Sequence, residues 1–224
     1  MTELEQFTEL CKVIDTLLGE NGCPWDRAQT HETLRPHLLE ESYEVADAID
    51  NNDMKALREE LGDLLLHVII HSRIAAKNSD FTLSQVIGDV AHKLVSRHTH
   101  IFADDTANSI KEVEDTWEAN KKKEKAIFTP LQNMEAVPNA LPALARAQKV
   151  IKRSESELYT EDTTKKLHSL LDTLCTLENE PDNRQGLEIS GDILLFLSAL
   201  LTKLQINAEF SLTKATLKFI NSFR

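Results

Sequence analysis

Residues 38–72 read LLEESYEVADAIDNNDMKALREELGDLLLHVIIHS. Leu38, Leu39, Val45 and Ile49 before Asn51-Asn52-Asp53, and Leu57, Leu61, Leu64 and Leu65 after it, recur at three- and four-residue spacing. That period predicts two amphipathic helices joined by a tight turn. In such an antiparallel hairpin, residues equidistant from Asn52 lie level, so Glu41 faces Asp63 and Glu44 faces Glu60. Within each helix the two acids stand three apart, which stacks them a turn apart on one face. Four carboxylates therefore converge.

Two carboxylates about 4 Å apart repel by roughly 1 kcal/mol in water and about 4 kcal/mol at the effective dielectric near a protein surface. Protonation, solvent exposure or a hard cation relieves such a cluster. A solvated face is the ordinary reading of a Glu-rich helix. Here Leu38, Leu39 and Val45 flank Glu41, and Asp63 sits in the apolar run 61–70. An all-oxygen donor set without His or Cys suits Mg²⁺, with Mn²⁺ as a substitute, and we read Glu41, Glu44, Glu60 and Asp63 as metal ligands. Asp63, His67 and His71 then stand four apart. A di-iron bundle needs a His three residues after a ligating Glu, and neither Glu41 nor Glu60 has one. His67 and His71 read as core or outer histidines, with His67 placed to hydrogen-bond Asp63.

The 224 residues suffice for one or two cores. A formal net charge of −12 argues against a surface for nucleic acid polymers, which needs a basic stripe. Cys11, Cys23 and Cys175 follow no metal or disulfide spacing, and no leader-like or membrane-length apolar run stands out. A reduced, cytoplasmic setting away from the membrane is expected. Six glycines and a helical period throughout make the class all-α.

Capping boxes open further helices. Thr2 and Glu5 start one that runs to about Leu18, with Leu4, Phe7, Leu10, Cys11, Ile14 and Leu17 as its apolar face. Thr82 with Gln85, and Ser109 with Glu112, start two more. Between the first helix and the hairpin, Trp25 reads on its chemistry alone as a plug over the core.

The segment Gly22-Cys23-Pro24-Trp25-Asp26-Arg27-Ala28-Gln29-Thr30-His31, followed by Glu-Glu-x-x-Glu at 40–44 and Glu-x-x-Asp at 60–63, resembles the MazG family of nucleoside triphosphate pyrophosphohydrolases. The resemblance is strong from residue 10 to about residue 125 and weaker beyond. It implies an all-α, four-helix-bundle architecture that hydrolyses nucleoside triphosphates to monophosphate and pyrophosphate with Mg²⁺, in house-cleaning of the nucleotide pool. A partner hairpin completes the family's bundle, which implies a homodimer. Lys93 and Arg97, leading into His98-Thr99-His100-Ile101-Phe102, look like the family's phosphate-binding segment, although alone they also read as a surface pair. Trp117 and Lys121 look like its Trp-x-x-x-Lys pair, closing over the nucleotide. Trp25 and Gln29 would lie near the base. The catalytic candidates are Glu41 and the adjacent Glu40, which stands a step around the helix and is placed to take a proton.

Three prolines in residues 129–142 mark a linker between a catalytic domain, 1–128, and a degenerate, truncated repeat, 143–224. Gly191-Asp192-Ile193-Leu194-Leu195 echoes Gly62-Asp63-Leu64-Leu65-Leu66. At that offset Glu41, Glu44, Glu60 and Asp63 become Leu170, Thr173, Ile189 and Asp192, so one carboxylate survives and the repeat is expected to be structural. Two other classes compete: a catalytically inactive nucleotide- or protein-binding helical module, and a metal-storage bundle.

Overall fold

Thr2 opens the first helix, α1 (Glu3–Leu18), through a reciprocal cap. Its hydroxyl accepts the Glu5 amide, and the Glu5 carboxylate accepts the Thr2 amide at 2.7 Å. The computed structural model describes residues 1–154, 161–177 and 183–224, and every regular element among them is a helix. The chain divides into two compact units, Met1–Asn108 and Ser109–Arg224.

In the first unit α1 is followed by α2 (Pro24–Arg27), α3 (His31–Asp50), α4 (Met54–Lys77), α5 (Leu83–Arg97) and α6 (Thr99–Phe102). The expected hairpin is α3 and α4, which pack along each other. Asn51 ends α3, and Asn52 turns the chain with φ 54°. Asp53 then caps α4, its Oδ1 accepting the amides of Lys55 and Ala56 at 3.0 Å. Asn tolerates the left-handed region better than most side chains, so this three-residue connection needs no glycine.

The core joins Ile14 of α1, Leu34 of α3, Ile69 and Ile70 of α4 and Leu83 of α5, with Phe7, Leu10, Cys11, Leu18, Leu66 and Ile74 packed around them. Each such aliphatic side chain contributes about 1.5–3 kcal/mol on burial. Leu4 and Leu17 stay exposed, so the buried face of α1 is narrower than its period implied. Leu34 lies early in α3 and Ile69 and Ile70 late in α4. The core therefore grips the open end of the hairpin, and the acids stand nearer the turn.

The second unit holds α7 (Ile110–Glu124), α8 (Pro130–Glu135), α9 (Ala143–Ser154), α10 (Glu161–Thr176), α11 (Asn183–Lys203) and α12 (Ala208–Asn221). Here α11 packs on α9, α10 and α12. Two features differ from the sequence reading. The unit boundary falls at Asn108, which puts α7 with the C-terminal helices, whereas the sequence reading kept 1–128 together. The stretch 129–142, read as a linker, carries α8 and buries Asn133 and Val137. Pro130 occupies the first helical turn, where a missing amide costs nothing, and Thr129 with Gln132 forms a capping box. In addition, α11 is long and apolar enough to cross a membrane by length and composition, which the sequence reading did not register.

Candidate metal centre

One oxygen from each of Glu41, Glu60 and Asp63 lies within 4.8 Å of the other two, and all three residues are partly buried. Glu44 stands outside this triad, yet it is close enough for its charge to act on both Glu41 and Glu60. Loss of water raises the Glu41 carboxyl above its ordinary value, and Asp63, Glu44 and Glu60 add to the rise. Glu60 is raised in the same way, by loss of water first, then by Glu44, Asp63 and Glu59. The charges acting on both are carboxylates alone. Glu41 and Glu60 thus give up their protons less readily than ordinary carboxylates, because the acids crowd one another, and an all-oxygen donor set of this kind fits a hard divalent cation.

Beyond the acids the hairpin carries histidines. His67 is buried, and among the described residues no hydrogen bond joins it to Asp63, contrary to expectation; its Nδ1 has no partner. His71 stacks on His31 with ring centroids 5.0 Å apart and Nδ1 atoms 2.7 Å apart. Burial lowers His67 and the charge of His37 lowers it further, against a small opposing pull from Asp63. Burial, His31 and His67 lower His71. These contacts were missed in the sequence although their signal was present. His37 and His67 are equidistant from Asn52, as the acid pairs are, and His31 and His71 nearly so.

The other candidate residues scatter. Trp25 is 58 % exposed and meets His37 edge-on at 6.4 Å, so it does not plug the core. Its place on the short helix α2 sets the indole at the surface. Gln29 is occupied locally: its amide donates to the Trp25 carbonyl at 2.8 Å and accepts from the Thr33 hydroxyl at 2.8 Å. Glu40 is exposed, with His37 Nδ1 3.6 Å away. On α5, Lys93 is exposed and Arg97, one turn on, is buried. Trp117 and Lys121 stand on α7 in the second unit, where the Lys121 ammonium donates to both oxygens of Glu118 at 2.6 and 2.9 Å.

Residues 29–102 match the family model of the MazG nucleotide pyrophosphohydrolase domain. A nucleoside triphosphate pyrophosphohydrolase/pyrophosphatase MazG of Thermotoga maritima is 34 % identical over 97 % of this chain and 84 % of its own length. The chain belongs to the MazG family. A nucleoside triphosphate pyrophosphohydrolase of Escherichia coli is 37 % identical over 99 % of the chain and 87 % of its own length. One of Mycobacterium tuberculosis is 43 % identical over 67 % of the chain and 45 % of its own length. The segment matched by the MazG model runs from the end of α2 to the end of α6. It contains all four acids, Lys93 and Arg97; Trp117 and Lys121 lie beyond it.

Proposed function

We propose that this MazG protein hydrolyses nucleoside triphosphates to nucleoside monophosphate and pyrophosphate in a Mg²⁺-dependent reaction that cleans the nucleotide pool. The observation that carries the reading is the 4.8 Å cluster of Glu41, Glu60 and Asp63, with the charge of Glu44 acting on Glu41 and Glu60, inside the segment matched by the family model. These four side chains would hold Mg²⁺, or Mn²⁺ in its place. The ion supplies neutralisation of triphosphate charge and activation of water.

The protein's own groups do the rest. Glu40, beside the ligands but turned toward His37, accepts the proton of the attacking water at its carboxylate, and Glu41 is the second catalytic carboxylate. Lys93 and Arg97 pair with phosphate oxygens. Trp25 offers an exposed indole face for a base and Gln29 an amide that must leave Thr33 to reach one; Trp117 and Lys121 of α7 are taken as further nucleotide contacts on the family resemblance. Leu61, Leu65 and Val68 form an exposed stripe on α4, and Leu39 and Tyr43 lie exposed on α3. A second copy's hairpin fits such a stripe, and we take the protein as a homodimer. Three free cysteines accord with a reducing cytoplasm. Helices 143–224 serve as a structural, degenerate repeat.

The test is product analysis with nucleoside triphosphates and Mg²⁺. Monophosphate and pyrophosphate should form, and Glu41→Gln and Asp63→Asn should each abolish turnover with helicity intact. Diphosphate plus phosphate as products, or near-normal rates in either variant, would reject the reading.

A further inference from the structure

In the second unit, one cleft of about 340 Å³ gathers Lys121 and Lys122 from α7, Asn133 from α8, and Lys149, Lys152 and Arg153 from α9. Glu118 is the single carboxylate among the residues lining it. Five cations against one acid is unusual in a chain whose formal charge is −12. Ordinary surface lysines alternate with acids. Here Lys149, Lys152 and Arg153 share one face of α9 at three- and four-residue spacing, and α7 contributes two more to the same hollow. The Lys121 side chain is 18 % exposed, a deep position for an ammonium.

The cleft is also built. Asn133 is buried; its amide donates to the Arg153 carbonyl at 3.2 Å, and the Arg153 guanidinium donates back to the Asn133 carbonyl at 3.1 Å. That pair ties α8 to α9 and fixes the cleft wall. Burial pushes the Glu118 carboxyl up, yet the Lys121 hydrogen bond and the charges of Lys121, Arg153 and Lys122 outweigh it and hold the group below the ordinary range. Glu118 thus experiences a net positive field. Lys149 and Lys152 have no hydrogen-bond or ion-pair partner among the described residues.

We propose that this cleft is a second anion site, specific for a phosphoanhydride group such as inorganic pyrophosphate or the polyphosphate tail of a nucleotide. Lysine ammonium groups from two helices can each meet a different oxygen of a compact polyanion, and the guanidinium of Arg153 adds a planar donor. The volume suits such a group. The net negative charge of the chain disfavours a nucleic acid polymer there. The site uses none of the four carboxylates proposed as metal ligands and shares only Lys121 with the proposed substrate contacts, so its test is made at Lys149 and Lys152, which the proposed function does not use.

The test is calorimetric titration of the full chain carrying Glu41→Gln, in EDTA, so that neither hydrolysis nor a metal-held ligand contributes heat and the outcome is independent of the proposed hydrolysis. Pyrophosphate should bind at one site per chain, and Lys149→Ala with Lys152→Ala should weaken it by about tenfold or more. Both lysines are exposed, so the double variant should keep its helical circular dichroism; Lys149→Gln with Lys152→Gln repeats the test with longer side chains. Tighter binding of a nucleoside triphosphate than of pyrophosphate, with the same loss in the variants, would assign the nucleotide tail. The reverse order would assign free pyrophosphate. No binding, equal affinity in the variants, or sulfate binding as tightly as pyrophosphate would overturn the proposal.

Discussion

Replacing Glu41 by Gln keeps the side chain's shape and removes one charge from the acidic cluster. Oxygens of Glu60 and Asp63 lie within 4.8 Å of a Glu41 oxygen, and the charge of Glu44 acts on it as well. At such distances each like-charge pair costs roughly 1 kcal/mol in a water-like dielectric. Solvent screening of these partly buried groups already relieves part of that repulsion. The net effect on the metal-free protein is a gain of about 1 kcal/mol, which for a chain of this size raises Tm by about 2–4 °C. Mg²⁺ reverses the order. A ligand at a hundred times its Kd stabilises the native state by about 2.7 kcal/mol, and the variant forgoes this. Differential scanning calorimetry in EDTA and in saturating MgCl₂ reads both effects. Glu41→Gln should melt above the wild type in EDTA and below it in MgCl₂. A variant less stable in EDTA would mean that Glu41 makes net favourable contacts in the bare fold. A variant that Mg²⁺ stabilises as much as the wild type would remove Glu41 from the ligands.

A methyl group added at Gly62 meets no atom within 4 Å, so Gly62→Ala should stabilise α4 by about 0.5–1 kcal/mol in urea unfolding; a loss of stability would mean that a neighbouring copy occupies that space. Asn52→Val should cost about 1–2 kcal/mol by the same assay, because a β-branched residue is strained at φ 54°, whereas Asn52→Gly should be close to neutral. His67 and His71 both titrate below the ordinary 6.5, so the folded state favours their neutral forms. Their contribution to stability is complete above about pH 6.5 and is lost as the pH falls through the lowered values. Urea unfolding at about pH 7.5 and 5.5 should therefore show an acid-side loss that His71→Gln reduces; an unchanged slope would count against the histidine cluster.

The hairpin was legible because its signals are local. Spacing fixes each helix, Asn51-Asn52-Asp53 fixes the turn, and equidistance from Asn52 fixes which acids meet. Capping boxes placed the starts of α1, α5 and α7 for the same reason. What could not be read depends on contacts remote in sequence. Trp25 is apolar enough to plug a core, but the core is already filled by Phe7, Leu10, Ile14 and Ile69, and the indole is left outside. Pro130 looked like part of a linker because three prolines in fourteen positions outweigh one capping box, although a proline in a first helical turn is permissive. The cationic cleft escaped notice because Lys121 and Lys149 meet only through the packing of the second unit.

The placement of the core also explains how an acidic cluster can stand in this hairpin. Ile14, Leu34, Ile69, Ile70 and Leu83 clamp the open end, while Glu41 and Glu60 sit toward the turn. The packed core and the acidic cluster are therefore carried by different stretches of the same two helices. A hairpin so divided tolerates repulsion where its packing is light, and it equally tolerates loss of the acids. Under the proposed correspondence, Ile189 replaces Glu60 and Leu170 replaces Glu41 in α11 and α10, which pack together. Ile189 is buried, where Glu60 is only partly so. Exchanging a carboxylate for an aliphatic side chain at such a position removes repulsion and adds apolar burial, each favouring the hairpin. Once one copy carries the ligands, nothing in the packing of the other resists that exchange.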